Sequence, residues 1–382
     1  MKAILSKIGT LLFVFTFACS SSSDDIISDP LGNIDDDSPS GDSSSYVIDL
    51  ITDNFEGEDF VVIGSEGWNF MLAFKTELEG ETLSFTSISG ELPVIMEDNK
   101  GSKYTIFGSA VNGPNQGKLL TPMNAYMGYW FSWGTFFPGL EIFDNPASVP
   151  NLGASVSGTQ DWLIPREDVH VGALRDAIPA IEDPKFVKPK DDSFINTIGE
   201  QALVIGVCID NEYRAYPHAV LNWHEIVNDQ INNNFYSVVF CPLTGTATVW
   251  NRTINGETTT FGVSGFLYNS NVVPYDRKTL SNWSQMLQTC VQGDLKASKT
   301  ENMFVLETTL ETWNQITTAG KVLSNNTGYN RSYNRNPYGD YPTNSTVNFP
   351  INFTDNRLHP KERVLGVIVN EKAKAYRFDS FK

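Results

Sequence analysis

From about residue 46 onward, hydrophobic positions fall in runs of four to eight aromatic and β-branched residues punctuated by Asn, Gly, Asp and Pro. Sustained 3.6-residue periodicity is scarce, so the pattern predicts a mainly β protein with a few short helices. Clear strands are predicted over Leu203 to Ile209, Tyr236 to Cys241, Thr246 to Asn251 and Thr258 to Val263, with Asn255-Gly256 as a hairpin turn between the last two. The block Asn222-Trp223-His224-Glu225-Ile226-Val227-Asn228-Asp229 is predicted helical, which would put His224 and Asn228 one turn apart on one face.

The pattern also repeats. Val204-Ile-Gly-Val-Cys-Ile-Asp-Asn-Glu-Tyr-Arg-Ala-Tyr216 returns as Val364-Leu-Gly-Val-Ile-Val-Asn-Glu-Lys-Ala-Lys-Ala-Tyr376, with apolar and polar positions in phase. More weakly, Gly80-Glu-Thr-Leu-Ser-Phe85 answers Gly256-Glu-Thr-Thr-Thr-Phe261, Ser89-Gly90 answers Ser264-Gly265, and Asp98 answers Asp276. The segment 47–160 thus matches the later part of the main unit, 165–345, and the segment 361–382 matches its beginning. Unpaired short strands would leave exposed edges. Two related β-rich domains are therefore expected, with the last strands completing the N-terminal one. The competing expectation is a chain cut off inside a further repeat. At the Cys241 turn, the N-terminal counterpart is Ser65-Glu66-Gly67-Trp68, which lacks the thiol.

The first residues change the compartment. Lys2 and Lys7 precede the apolar run Ile8 to Ala18 and then Cys19, the layout of a lipoprotein signal peptide over residues 1–18 with Cys19 as the lipidated residue. The run is about half the roughly 20 residues a spanning helix needs. Residues 19–46 are Ser/Asp-rich and read as a flexible tether, either a plain linker or one resembling the export signal of surface lipoproteins. A lipid-anchored protein of the cell envelope, at the outer membrane, is expected. The net charge of −18 argues against nucleic acid or anionic headgroups as direct partners, leaving a small molecule or an envelope protein. Besides Cys19 there are Cys208, Cys241 and Cys290, an odd number.

The densest chemistry lies between Tyr216 and Gln285. It comprises the Trp-His-Glu-Ile-Val-Asn-Asp block, the Cys241-Pro-Leu-Thr244-Gly-Thr turn, Ser264, Tyr268-Asn269-Ser270, Asp276-Arg277 and Trp283-Ser-Gln285. Together with Asp176 to Phe186, these motifs resemble the bacterial family known as domain of unknown function 3179. The resemblance covers about residues 165–382, and the N-terminal part only through the repeat. No activity comes with the family. Some members carry selenocysteine, and the resemblance then implies a redox-active centre at the Cys-Pro-Leu-Thr turn.

On that reading Cys241 is the nucleophilic thiol, Thr244 steadies the thiolate and His224 is its acid or base. No cysteine stands at position 244, so resolution would fall to Cys208, Cys290 or an outside thiol. The bland reading makes Cys241 a packed core residue, with Cys208 a small hydrophobe and Cys290 without a role. In a third reading His224, Cys241 and His218 hold copper, since thiolate and imidazole suit a soft metal. A non-catalytic binding role would use Asn222, Glu225, Asn228, Ser264, Tyr268, Asn269, Ser270, Asp276, Arg277, Trp283 and Gln285. Tyr329 and Tyr338 would join them from the aromatic, cationic stretch 328–341, which alternatively packs as a covering Ω-loop.

Overall fold

The computed structural model describes residues 46–145, 153, 158 and 160–381. The signal peptide, Cys19 and nearly all of the tether lie outside them. The chain is mainly β, and its folded body is built twice over from one plan.

In the main half, the hairpin Leu203–Ile209 and Glu212–Pro217 is flanked by Leu306–Thr309, antiparallel to the first strand, and Lys321–Leu323, parallel to the second. The helix Leu310–Ile316 links the two flanking strands, capped by the Thr309 hydroxyl on the Thr312 N–H. The other half repeats this order with the chain ends exchanged. The hairpin Arg363–Val369 and Lys372–Arg377 is flanked by Ala125–Tyr129, antiparallel, and Glu141–Ile142, parallel, joined by the helix Trp130–Phe136. The final strands therefore complete the N-terminal sheet.

The repeated glycine in the two hairpins has one packing reason. A Cβ on Gly206 would lie 2.5 Å from the Trp313 ring, and one on Gly366 2.2 Å from the Trp133 ring. Both indoles are fully buried, so each helix presses a tryptophan onto a bare backbone. The three-strand units also correspond. Ile226–Ile231, Asn234–Cys241 and Thr246–Asn251 match Asp49–Phe55, Glu58–Ser65 and Phe70–Lys75, and the pair Cys241/Thr246 matches Ser65/Phe70. The weaker repeat holds too, since Phe261 faces Asp276 as Phe85 faces Asp98. One apolar core runs through residues of both halves, from Phe70 and Phe74 to Val204 and Val238.

Two local expectations are corrected. The 222–229 block is not a helix: His218–Leu221 ends at Asn222, Glu225 takes a left-handed φ of 58°, and Ile226–Ile231 is a strand. β-branched Ile226, Val227 and Ile231 are fully buried there, and strand packing outweighs the one-turn spacing of His224 and Asn228. The strand expected over Thr258 to Val263 is broken. Glu257–Thr258 closes the Asn255-Gly256 hairpin with Thr253–Ile254, and Phe261–Tyr268 begins a separate sheet.

Candidate functional site

Cys241 ends a strand, and Pro242 to Gly245 turn the chain into the next one. Gly245 has φ +58°, and a Cβ there would meet the Tyr129 ring at 2.8 Å, so the turn needs glycine for both conformation and space. Tyr129 comes from the other half and donates its backbone N–H to the Thr244 carbonyl at 2.8 Å. Correspondingly, the Trp68 carbonyl, at the position equivalent to Thr244, accepts from the Thr308 and Thr312 hydroxyls at 2.7 and 2.8 Å. Each half thus docks its turn on the flanking strand or helix of the other.

Behind the turn lies a buried polar clamp. Asn271 Nδ2 donates to Thr244 Oγ1 (2.9 Å) and Gln285 Oε1 (2.8 Å), while Gln285 Nε2 donates to the Val239 and Thr246 carbonyls at 2.8 and 3.1 Å. Thr246 Oγ1 donates to Gln285 Oε1 at 2.8 Å. Thr244 therefore serves the turn's architecture as well as the sulfur. Gln285→Ala leaves several of these groups without partners at a cost of about 1–3 kcal/mol. The expected result is a lower unfolding midpoint and faster iodoacetamide alkylation of Cys241 than in the wild type.

The thiol itself is sealed. Cys241 is 1 % exposed, and its Sγ–H points to the Ser270 carbonyl at 3.8 Å. Burial pushes the thiol up to about 11, reinforced by the nearby Glu225 charge and only partly offset by hydrogen bonds from Thr244 and the Val272 backbone. Cys208 and Cys290 are likewise free and pushed up by burial.

His224 directs both ring nitrogens to partners other than this sulfur. Its Nδ1 lies 2.7 Å from the Pro179 carbonyl, which fixes the proton there, and its Nε2 accepts from the Tyr333 hydroxyl at 2.7 Å. Both nitrogens of this residue of the expected copper set thus have hydrogen-bond partners within the fold. His218 lies tilted against Phe240 with ring centroids 4.2 Å apart and is pushed down to about 4 by burial. Among the described residues, no group of three His, Cys, Asp or Glu side chains is placed to hold a metal.

What His224 and its neighbours do is anchor a strap formed by residues 324–361. Trp223 Nε1 donates to the Arg335 carbonyl at 3.3 Å, His224 binds Tyr333, and the Glu225 carboxyl lies close to the Tyr338 hydroxyl. Tyr341 Oη donates to the Leu243 carbonyl at 3.0 Å, directly over the Cys241 turn. Further along, Ser270 Oγ donates to the Phe349 carbonyl at 2.9 Å, and the Asn352 N–H donates to Asn269 Oδ1 at 2.8 Å. The strap ends on Lys361, whose buried ammonium lies 3.2 Å from the Tyr341 ring centroid and donates to the Tyr341 and Thr346 carbonyls. Burial pushes Lys361 down to about 8, a tendency that those carbonyls and the ring face oppose.

Most of the remaining expected binding residues have partners within the fold. Asn228 bridges strands through Phe261 and Ser237. Ser264 accepts from the Phe266 N–H at the irregularity of its strand, and Asp276 accepts from Thr279 and from Trp283 Nε1. Arg277 pairs with Asp176 and Glu182. Tyr268 is buried against Phe136, Asn222 closes a short helix, and Tyr329 is 43 % exposed with its ring beside His224.

The open space is elsewhere. A cavity of about 290 Å³ lies between the halves, walled by Phe70–Lys75 and Ala125–Tyr129 on one side and by Thr246–Asn251 and the segment 302–307 on the other. Met71, Met123, Met127 and Met303 line it, four of the chain's seven methionines, giving a soft and adaptable wall. So does Glu307, which is 4 % exposed. Its Oε1 accepts from Arg363 at 2.6 Å, and its Oε2 has no hydrogen-bonding partner among the described residues. No sequence signal marked this place. Glu307 stands in a strand as an unremarkable polar residue, and the methionines come from separate segments.

The family model described as Protein of unknown function (DUF3179) matches residues 44–140 and 175–382, and the chain belongs to that family. The match includes the N-terminal half, which the motifs alone reached only through the repeat. No curated protein and no solved structure matches the chain.

Proposed function

We propose that this is a non-catalytic ligand-binding protein of the cell envelope, tethered through lipidated Cys19, which takes a small amphipathic molecule into the cavity between its halves. The observation that carries this reading is Glu307: a carboxylate buried in the cavity wall, with one oxygen unpartnered among the described residues, is costly unless something donates to it. The setting agrees with the usual placement of ligand sites, concave and located where two structural units meet, and its wall mixes apolar side chains with Asn124, Gln288, Asn302 and Glu307.

The neutral fluorophore N-phenyl-1-naphthylamine tests the reading. Saturable one-to-one binding is expected, weakened at least tenfold in Met303→Trp, which fills the cavity from its rim. Absence of saturable binding in the folded wild type overturns it. For the anchor, metabolic labelling with palmitate is expected to mark the wild type and to be lost in Cys19→Ser.

A second reading, thiol–disulfide exchange at Cys241, has one observation in its favour: hydrogen bonds from Thr244 to the sulfur, which favour the thiolate. It ranks lower because burial outweighs them and His224 is engaged elsewhere. Alkylation of Cys241 at pH 6 faster than in a denatured control would reverse the order.

A further inference from the structure

A second cavity, of about 650 Å³, adjoins the first and is lined by Phe137, Leu163, Met286, Leu287, Val291 and Ile368. Asn124, Gln288 and Asn302 line both. Asn124 and Gln288 come from opposite halves and form a reciprocal amide pair, Nδ2 to Oε1 at 2.7 Å and Nε2 to Oδ1 at 2.9 Å. This pair stands as a bar where the two cavities meet. Side-chain amides can part by rotation about their own torsions, without disturbing the strands behind them.

The polar end of the path has a definite character. Glu307 is already neutralised by Arg363 at 2.6 Å, so a second cation would leave an excess positive charge in a dry site, and an anion would face the carboxylate directly. An uncharged hydrogen-bond donor satisfies Oε2 with neither cost. Beyond the amide pair, the walls offer mainly apolar surface.

Building on the proposed binding role, we infer that the two cavities form one site for a linear amphipathic molecule, with an uncharged donor head such as a hydroxyl at Glu307 and an alkyl body that passes the Asn124–Gln288 pair. Affinity then grows with chain length until the second cavity is reached and used, at roughly 0.8 kcal/mol, or about fourfold, per buried methylene.

Calorimetric titration of the full chain with 1-hexanol, 1-decanol, decylamine and decanoate tests this, alongside Leu287→Trp, which narrows the second cavity far from Glu307. The expected result is that decanol binds at least tenfold more tightly than hexanol, decylamine or decanoate. Leu287→Trp, with its fold checked by circular dichroism, should erase the decanol advantage while leaving hexanol unchanged. Equal affinity for the two alkanols, or indifference to Leu287→Trp, overturns the joined site although the binding role stands. Tighter binding of decylamine or decanoate than of decanol overturns the uncharged head. If none of the four binds, and N-phenyl-1-naphthylamine does not bind either, the binding role itself fails.

Discussion

Removing residues 361–382 is expected to unfold the half built from residues 49–145, although those residues lie more than two hundred positions away in sequence. Arg363–Val369 is the antiparallel neighbour of Ala125–Tyr129, and Lys372–Arg377 carries Glu141–Ile142 in parallel, so truncation strips backbone partners from both. It also removes Val364, Leu365, Val367, Tyr376 and Phe381 from the core, each at most 7 % exposed. At about 1.5–3 kcal/mol for each buried side chain, the loss is on the order of 10 kcal/mol, as large as the whole stability of a typical domain. Hydrogen exchange read by mass spectrometry should show peptides from 49–75 and 125–142 exchanging without protection, while Asn234–Cys241 keeps part of its own. Unchanged protection in 49–142 would show that the closure is dispensable. Gly366→Ala is a gentler form of the same test: its Cβ would stand 2.2 Å from Trp133, and overpacking of this kind costs about 1–3 kcal/mol or more. Gly206→Ala, facing Trp313 at 2.5 Å, should destabilise the other half comparably.

That closure was legible in the sequence because it rests on a pattern long enough to be read twice. Thirteen in-phase positions beginning at Val204 and Val364 specify two equivalent hairpins, and the glycine in each is what a tryptophan stacked on the backbone demands. The motifs around Cys241 were legible as a cluster, but the partners their polar groups take were not. Trp223, His224 and Glu225 are rich in functional groups, yet each holds one segment of a strap whose partners lie more than a hundred residues later. Asn271 and Gln285 clamp the turn in the same way. Donor and acceptor types can be read from residue names, whereas the partner that occupies them cannot. The local failure at 222–229 has the same root, since buried β-branched positions at Ile226, Val227 and Ile231 overrode the helical spacing of two polar residues. The cavity was illegible because its wall is assembled from methionines of separate strands and one acid paired across the halves with Arg363.

The strap should respond to pH through Glu225. Burial at its base raises this carboxyl from 4.5 to about 8, with the hydrogen bond to Tyr338 pulling weakly the other way. Because the folded value exceeds the unfolded one, the sign is fixed. Below pH 4.5 both states carry the proton and folding bears no penalty. Between 4.5 and 8 the unfolded chain releases it while the folded chain keeps it, so stability falls as pH rises, by up to about 1.4 kcal/mol per pH unit. Above 8 the penalty is constant, on the order of 3–5 kcal/mol. Glu225→Gln keeps the shape and removes the titration. The wild type should therefore lose a few kcal/mol relative to this variant between pH 5 and pH 8, measured by urea unfolding at each pH. Other groups cancel in the comparison: His218, pushed down to about 4, opposes the trend below 6.5 in both proteins, and Lys361, pushed down to about 8, adds its relief only above that value. A folded Glu225→Gln protein whose stability falls with pH as steeply as that of the wild type would show that Glu225 is already ionised in the folded state. Where the difference does appear, amide exchange across 333–345 should quicken from pH 7 to 9 in the wild type alone, because a charge formed on the buried Glu225 beneath the strap is costly unless the strap opens to admit water.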